Sequence, residues 1–166
     1  LGVFSSLLGF LYFNWHPSKL YMGDTGSQFL GAFLGAVGII YFWNIPYSSE
    51  VVRPQSKQIV ITLLAFIMPI IDTTTVVINR ISKKQSPFIG GKDHTTHHLF
   101  YLGITERRIA VLFAALSFFS IALAIMIMKF IDNWSHIHTL IFASYFVLLF
   151  GLFFYSTKIK KKELVK

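Results

Sequence analysis

The stretch Ile109–Ile131, IAVLFAALSFFSIALAIMIMKFI, holds 23 residues and a single charge, Lys129. As a helix it would reach about 34 Å, enough to cross a hydrocarbon core of roughly 30 Å. Comparable runs recur on both sides of it. Ile137–Tyr155 follows, while Gln28–Trp43 and Gln58–Asn79 precede, the first closed by Asn44-Ile45-Pro46 and the second interrupted by Pro69. Leu1–Phe13 is apolar but would extend only about 20 Å, so it reads as the second half of a spanning helix that starts upstream. None of these runs alternates with the two-residue period of a barrel strand, and lipid leaves only helices as the other way to satisfy the backbone. The expected fold is an all-α polytopic transmembrane helix bundle of about five spans, the first truncated, within a single membrane domain over residues 1–166.

Composition agrees. The chain is 54% hydrophobic and 13% charged, far from the balance of a soluble domain. The absence of cysteine excludes a disulfide framework and thiolate metal sites. A net charge of +8 invites a nucleic-acid reading, but the bases fall between spans and in the tail, where membrane topology accounts for them. No nucleic-acid partner is expected. The apolar run from Leu1 shows no basic n-region of its own, so a secretory signal is not expected.

Alternating spans distribute the loops to two sides. One side receives Asn14–Ser27, the long Arg80–Arg108 loop and the tail after Ser156, with Lys19, Arg80, Lys83, Lys84, Lys92, Arg107, Arg108 and the tail lysines. The other receives Arg53, Lys57 and Lys129, offset by Glu50 and Asp132. The positive-inside rule puts the first group in the cytoplasm. Within span two, Gly31, Gly35 and Gly38 read as a close-packing face inside the bundle, with homodimerisation as the other use.

Three polar groups interrupt this apolar background. Asp24 lies in Gly23-Asp24-Thr25-Gly26-Ser27, beside a span. A carboxylate among glycines and hydroxyls suits Mg²⁺, which takes one or two carboxylates and completes its shell with water and phosphate. It equally suits an N-cap for the following helix. Asp72, in Pro69-Ile70-Ile71-Asp72-Thr73, is a carboxylate inside a span, where such groups are costly and mark sites or polar packing knots. It stands about two turns from Arg80, with Asn79 near the same stripe. The third group is the loop from Arg80 to Arg108, long enough to be functional. Ser86-Pro87-Phe88 reads as extended and Gly90-Gly91 as a turn. If Asp93–Leu99 is helical, His94, His97 and His98 share a face, able to bind a metal or to present donors to a phosphate or base. His136 and His138 lie beside Trp134 in a short outer loop and read as non-catalytic.

In this order the three segments resemble the polyprenyl-phosphate N-acetylhexosamine-1-phosphate transferases, glycosyltransferase family 4. Pro17–Ser27 is similar to the family's glycine-aspartate loop, Pro69–Arg80 to its intramembrane aspartate helix, and Ser86–Leu99 with Gly103-Ile104-Thr105 to its cytoplasmic histidine loop. The resemblance implies transfer of a sugar 1-phosphate from a UDP-N-acetylhexosamine to polyprenyl phosphate, with release of UMP, at the bacterial cytoplasmic membrane, for cell-envelope polysaccharide. It implies Mg²⁺ as cofactor, Asp24 as its ligand, and Asp24, His97 and His98 as catalytic residues. Arg80, Lys92, His94 and Asp72 are the expected substrate-binding residues. The family's His-X-His-His run reads Thr95-Thr96-His97-His98 here, with His94 one place earlier. Its upstream acidic pair would precede Leu1, so the segment alone is expected to be inactive. Two rival readings stand beside this one: a transporter segment using Asp72 as an ion or proton site, and a membrane metalloprotein using His94, His97 and His98.

Overall fold

The computed structural model describes residues 1–15, 17–43, 55–88, 91 and 93–159. Among them every regular element is helical. The chain divides into two units, Leu1–Ile45 and Pro46–Lys166.

The first unit holds α1 (Gly2–Asn14) and α2 (Gly23–Val37), which runs on as a π-helical segment, Gly38–Trp43. At thirteen residues α1 is short for a bilayer, as its sequence implied. The α2 span begins at Gly23 rather than Gln28, so the Gly-Asp-Thr-Gly-Ser motif forms the first turn of the helix and not the loop before it. Gly23 makes this start possible with φ +68°, a backbone conformation that side chains with a Cβ resist. Of the three glycines expected to form a close-packing face, Gly38 is buried. A Cβ on Gly31 or Gly35 would meet nothing within 4 Å, and both residues are exposed. Residues 44–54, which include Asn44-Ile45-Pro46, lie outside the described residues.

The second unit comprises α3 (Gln55–Ala65), α4 (Ile67–Ser82), α5 (Thr95–Tyr101), α6 (Glu106–Phe130) and α7 (His136–Ser156). Helices α6 and α7, with 25 and 21 residues, are long and apolar enough to cross a membrane. With α2 and its extension they make three such spans, or four if α3 and α4 count as one broken span. This is a polytopic membrane helix bundle.

The third expected span is not straight. Helices α3 and α4 meet at 84° across Phe66. Pro69 explains where the break falls. Its ring would collide with the carbonyl of Ala65, and it has no N–H to offer that carbonyl. Ending α3 at Ala65 and starting α4 at Ile67 puts Pro69 in a first turn, where a missing N–H costs nothing. At eleven residues α3 extends about 16 Å and cannot cross alone. Helix α4 is strongly amphipathic. Met68, Ile71, Thr75, Val76, Asn79 and Arg80 are buried along one stripe at helical spacing.

The core forms where α3 and α4 lie against α6 and α7, around Ile61, Leu64, Ile67, Ile71 and Ile127. Polar side chains gather at its two ends. At one end the buried Lys57 donates from Nζ to the Ile131 carbonyl at 2.6 Å, closing the C-terminus of α6. There Trp134 Nε1 donates to Ser56 and Thr139 hydroxyls, and Ser135 and His138 form a capping box on α7. His138 thus caps the start of α7, a contact its sequence position did not announce. At the other end Asn79 Nδ2 donates to Thr157 Oγ1 at 3.0 Å, and Lys158 Nζ donates to Asn79 Oδ1 at 2.9 Å. Within this unit the loop after α4 and the tail after α7 therefore share one end, and Lys57 and Lys129 belong to the opposite end.

Candidate functional site

The histidine loop is built on α4. Asp72 and Arg80, two turns apart on that helix, together hold three consecutive residues, Asp93, His94 and Thr95. Arg80 Nε donates to Asp93 Oδ2 at 3.0 Å, and its Nη1 donates to the Pro87 carbonyl at 3.0 Å. The Arg80 side chain is only 8% exposed, so this pair is shielded on the arginine side. Gly91 lies flat against it. A Cβ there would stand 2.9 Å from both Arg80 Nη2 and Asp93 Oδ2, which explains why a glycine occupies the position.

Asp72 spends both carboxylate oxygens on the next residues. Oδ1 accepts from the Thr95 N–H at 2.7 Å, and Oδ2 lies 2.8 Å from His94 Nδ1. Thr95 is the first residue of α5, so a carboxylate from another helix satisfies one of its open N–H groups and faces the positive end of the helix. This contact sets the start of α5. The helix begins at Thr95 and not at Asp93, with His94 as its N-cap in an extended conformation. His94 and His97 still approach, with ring centroids 6.4 Å apart. His97 also lines a cavity of about 280 Å³ with Thr96 and Phe100 on one wall and Glu106, Ile109, Ala110 and Phe113 of α6 on the other. His98 lies on the same helix and is half-buried.

These contacts weigh on the rival readings. A transporter site at Asp72 needs carboxylate oxygens available to an ion, and both are bonded to α5. A metal held by the histidines needs at least three ligands in reach, and no group of three His, Asp or Glu side chains gathers among the described residues. Neither Glu106 in the cavity wall nor the cross-helix cap made by Asp72 was anticipated from sequence. The spacing of Asp72 and Arg80 on one stripe was the signal for the second. Lys92 lies outside the described residues.

Asp24 belongs to the first unit. It is exposed, in the first turn of α2, and it is not the N-cap: that residue is Met22, and no side chain caps the helix. The neighbouring hydroxyl of Ser27 donates to the Asp24 backbone carbonyl at 3.0 Å rather than to its carboxylate. The Asp24 carboxylate has no protein hydrogen bond among the described residues. That fits Mg²⁺ as a partner, since a hard oxygen donor with open lone pairs is what a largely hydrated Mg²⁺ takes from a protein. A cleft of about 540 Å³ lies beside this turn, walled by apolar residues of α1 and by Tyr21, Met22 and Phe29.

Comparison with known proteins points the same way. The model of glycosyl transferase family 4 matches residues 1–42. The chain is 34% identical over 134 residues to the probable undecaprenyl-phosphate N-acetylglucosaminyl 1-phosphate transferase of Bacillus subtilis, covering 81% of this chain and 35% of that protein. It is 31% identical over 108 residues to the decaprenyl-phosphate N-acetylglucosaminephosphotransferase of Mycolicibacterium smegmatis, covering 63% of this chain and 27% of that protein. With the phospho-N-acetylmuramoyl-pentapeptide-transferase of Leptospira biflexa it shares 34% identity over 113 residues, 68% of this chain and 26% of that protein. The chain thus spans about a third or less of the length of the curated relatives it matches. No solved structure matches it. With the family model matching its first 42 residues and 34% identity to one curated transferase over 81% of its length, the chain belongs to glycosyl transferase family 4.

Proposed function

We propose that the protein carrying this chain transfers an N-acetylhexosamine 1-phosphate from a UDP-sugar to a polyprenyl phosphate and releases UMP, at the cytoplasmic face of a bacterial membrane. The observation that supports this most is the pinning of the histidine helix. Asp72 and Arg80 hold Asp93 and His94 so that His94 and His97 stand together at the start of α5. A transfer between two phosphorylated substrates asks a protein chiefly for alignment and charge stabilisation, and the held His94 imidazole with His97 beside it supplies hydrogen-bonding groups for that purpose. The N-acetylglucosaminyl and N-acetylmuramoyl transferases named above supply the reaction class.

In this reading His94, His97 and His98 contact the sugar nucleotide, and Arg80 keeps the loop folded. Lys92 adds positive charge for phosphate. Asp24 would hold Mg²⁺, which supplies neutralisation of the diphosphate and of the charge that develops on UMP. The apolar wall beside His97 excludes water from one side of the imidazole, which strengthens its hydrogen bonds to a charged partner. The tail end shared by α4 and α7 carries the bases that favour the cytoplasmic leaflet.

The test is a full-length preparation in detergent supplied with a UDP-N-acetylhexosamine. UMP should appear only when polyprenyl phosphate and Mg²⁺ are both present. Release of UMP without the lipid acceptor, or no release under any pairing of UDP-sugar and acceptor, would remove the proposal.

A further inference from the structure

We infer that Asp72 is a positioning residue, which fixes His94 as the tautomer protonated on Nδ1 and holds the first turn of α5 through the Thr95 amide. The inference rests on the proposed reading of the histidine loop for its catalytic consequence, but not for its geometry.

The argument starts from donors and acceptors. An ionised carboxylate only accepts. With Oδ2 at 2.8 Å from His94 Nδ1, the proton of that contact belongs to the imidazole. A neutral ring protonated on Nδ1 has its lone pair on Nε2, so one hydrogen bond decides which ring atom is offered to an incoming group. The other carboxylate oxygen accepts from the Thr95 N–H at 2.7 Å, so the ring and the backbone that carries it hang from the same side chain. The arrangement matches the way carboxylates orient working histidines elsewhere: the partner fixes tautomer and ring angle and does not itself meet the substrate.

The surroundings support a positioning role over a binding one. The Asp72 side chain is 24% exposed, whereas that of His94 is 52% exposed. The histidine is therefore the member of the pair that solvent and substrates reach. Asp72 stands one turn before Thr75, which is fully buried, and on the amphipathic helix whose far end is anchored by Asn79 and Arg80. The platform beneath the carboxylate is thus rigid, and the loop above it is the part that needs holding. Arg80 performs the matching task one residue earlier, at Asp93. Two opposite charges on one helix fix three consecutive residues, Asp93, His94 and Thr95, which sets both the position and the rotation of the chain entering α5.

The experiment uses the full-length protein in detergent, labelled with ¹⁵N-histidine, with His94→Gln to assign the His94 ring signals. In the wild type, His94 should show a protonated Nδ1 and a bare Nε2. In Asp72→Asn the amide oxygen can serve only one of the two donors, so the ring should shift toward the Nε2-protonated tautomer. Hydrogen exchange at the Thr95 amide should accelerate about 10-fold or more. UMP release should fall about 10–100-fold in Asp72→Asn, the range known for carboxylates that orient a metal-bound histidine. On a His94→Gln background the same change should cost less than about 2-fold further, because the ring it orients is gone. A wild-type ring protonated on Nε2, an unchanged tautomer in Asp72→Asn, or multiplicative losses in the double variant would overturn the inference. The wild-type spectrum decides the tautomer even if the variants fold poorly. Should the spectra behave as expected while wild-type protein releases no UMP, the positioning role stands and the proposed reaction falls.

Discussion

At the scale of single residues, the chain keeps its carboxylates in different employment. Asp24 is exposed with open lone pairs, Asp72 is bonded through both oxygens, and Asp93 is paired with a buried guanidinium. Their substitutions should separate accordingly. Asp24→Asn should leave the melting temperature of the full-length protein unchanged and lower UMP release by more than the 10–100-fold typical of groups that support a metal ligand from behind. Unchanged turnover would contradict the metal role. Arg80→Ala should do the reverse in part. It strips Asp93 of its partner and opens the loop, costing about 1–2 kcal/mol, since Asp93 is about one-third exposed and partly screened. Thermal unfolding in detergent measures this. Gly91→Ala should weaken the same pair by pressing a methyl group against Arg80 and Asp93. The residue types at these positions were legible in the sequence, but their partners were not. The glycine-aspartate motif left open whether Asp24 caps a helix or stands free, and nothing local to Asp72 says that its acceptor sites go to Thr95 and His94, 23 and 22 positions away.

At the scale of elements, the fourth and fifth spans were readable almost to the residue. Ile109–Ile131 and Ile137–Tyr155 became Glu106–Phe130 and His136–Ser156. Long uniform apolar runs admit one reading in lipid, which is why they were so clear. The Gln58–Asn79 run misled because its hydropathy is continuous while its backbone is not. The bend depends on where the proline-disfavoured carbonyl falls, and on what α4 gains by turning. That gain decides the behaviour of Pro69→Ala. Restoring one backbone hydrogen bond is worth about 0.5–1.5 kcal/mol. Straightening the pair would withdraw Ile67, Met68 and Ile71 from the core and break the Asn79 and Arg80 contacts, a larger loss. The bend should therefore survive the substitution. Spin labels at Gln58 and Lys83 should keep a separation near the bent value of about 29 Å, against about 38 Å for one continuous helix.

At the scale of the whole molecule, charge distribution assigned the loops to sides, and within the second unit the hydrogen bonds sort them the same way. Asn79, Thr157 and Lys158 meet at one end, and Lys57, Ile131 and Trp134 gather at the other. The cysteine-free sequence makes the corresponding prediction direct to read. Single cysteines at Lys83 and Ile159 should react with an impermeant maleimide from one side of the membrane, and a cysteine at Asn133 from the other. Labelling of all three from one side would refute the assigned topology.

The tie between Asn79 and the residues just after α7 bears on how the protein can be handled. Because Thr157 and Lys158 hook directly onto the helix that carries Asp72 and Arg80, anything fused close behind them pulls on the same lever. Affinity handles and fluorescent fusions belong on a flexible spacer or elsewhere. Under the proposed function, a dye attached near Ile159 should respond to added sugar nucleotide through this link to the helix that carries Asp72 and Arg80.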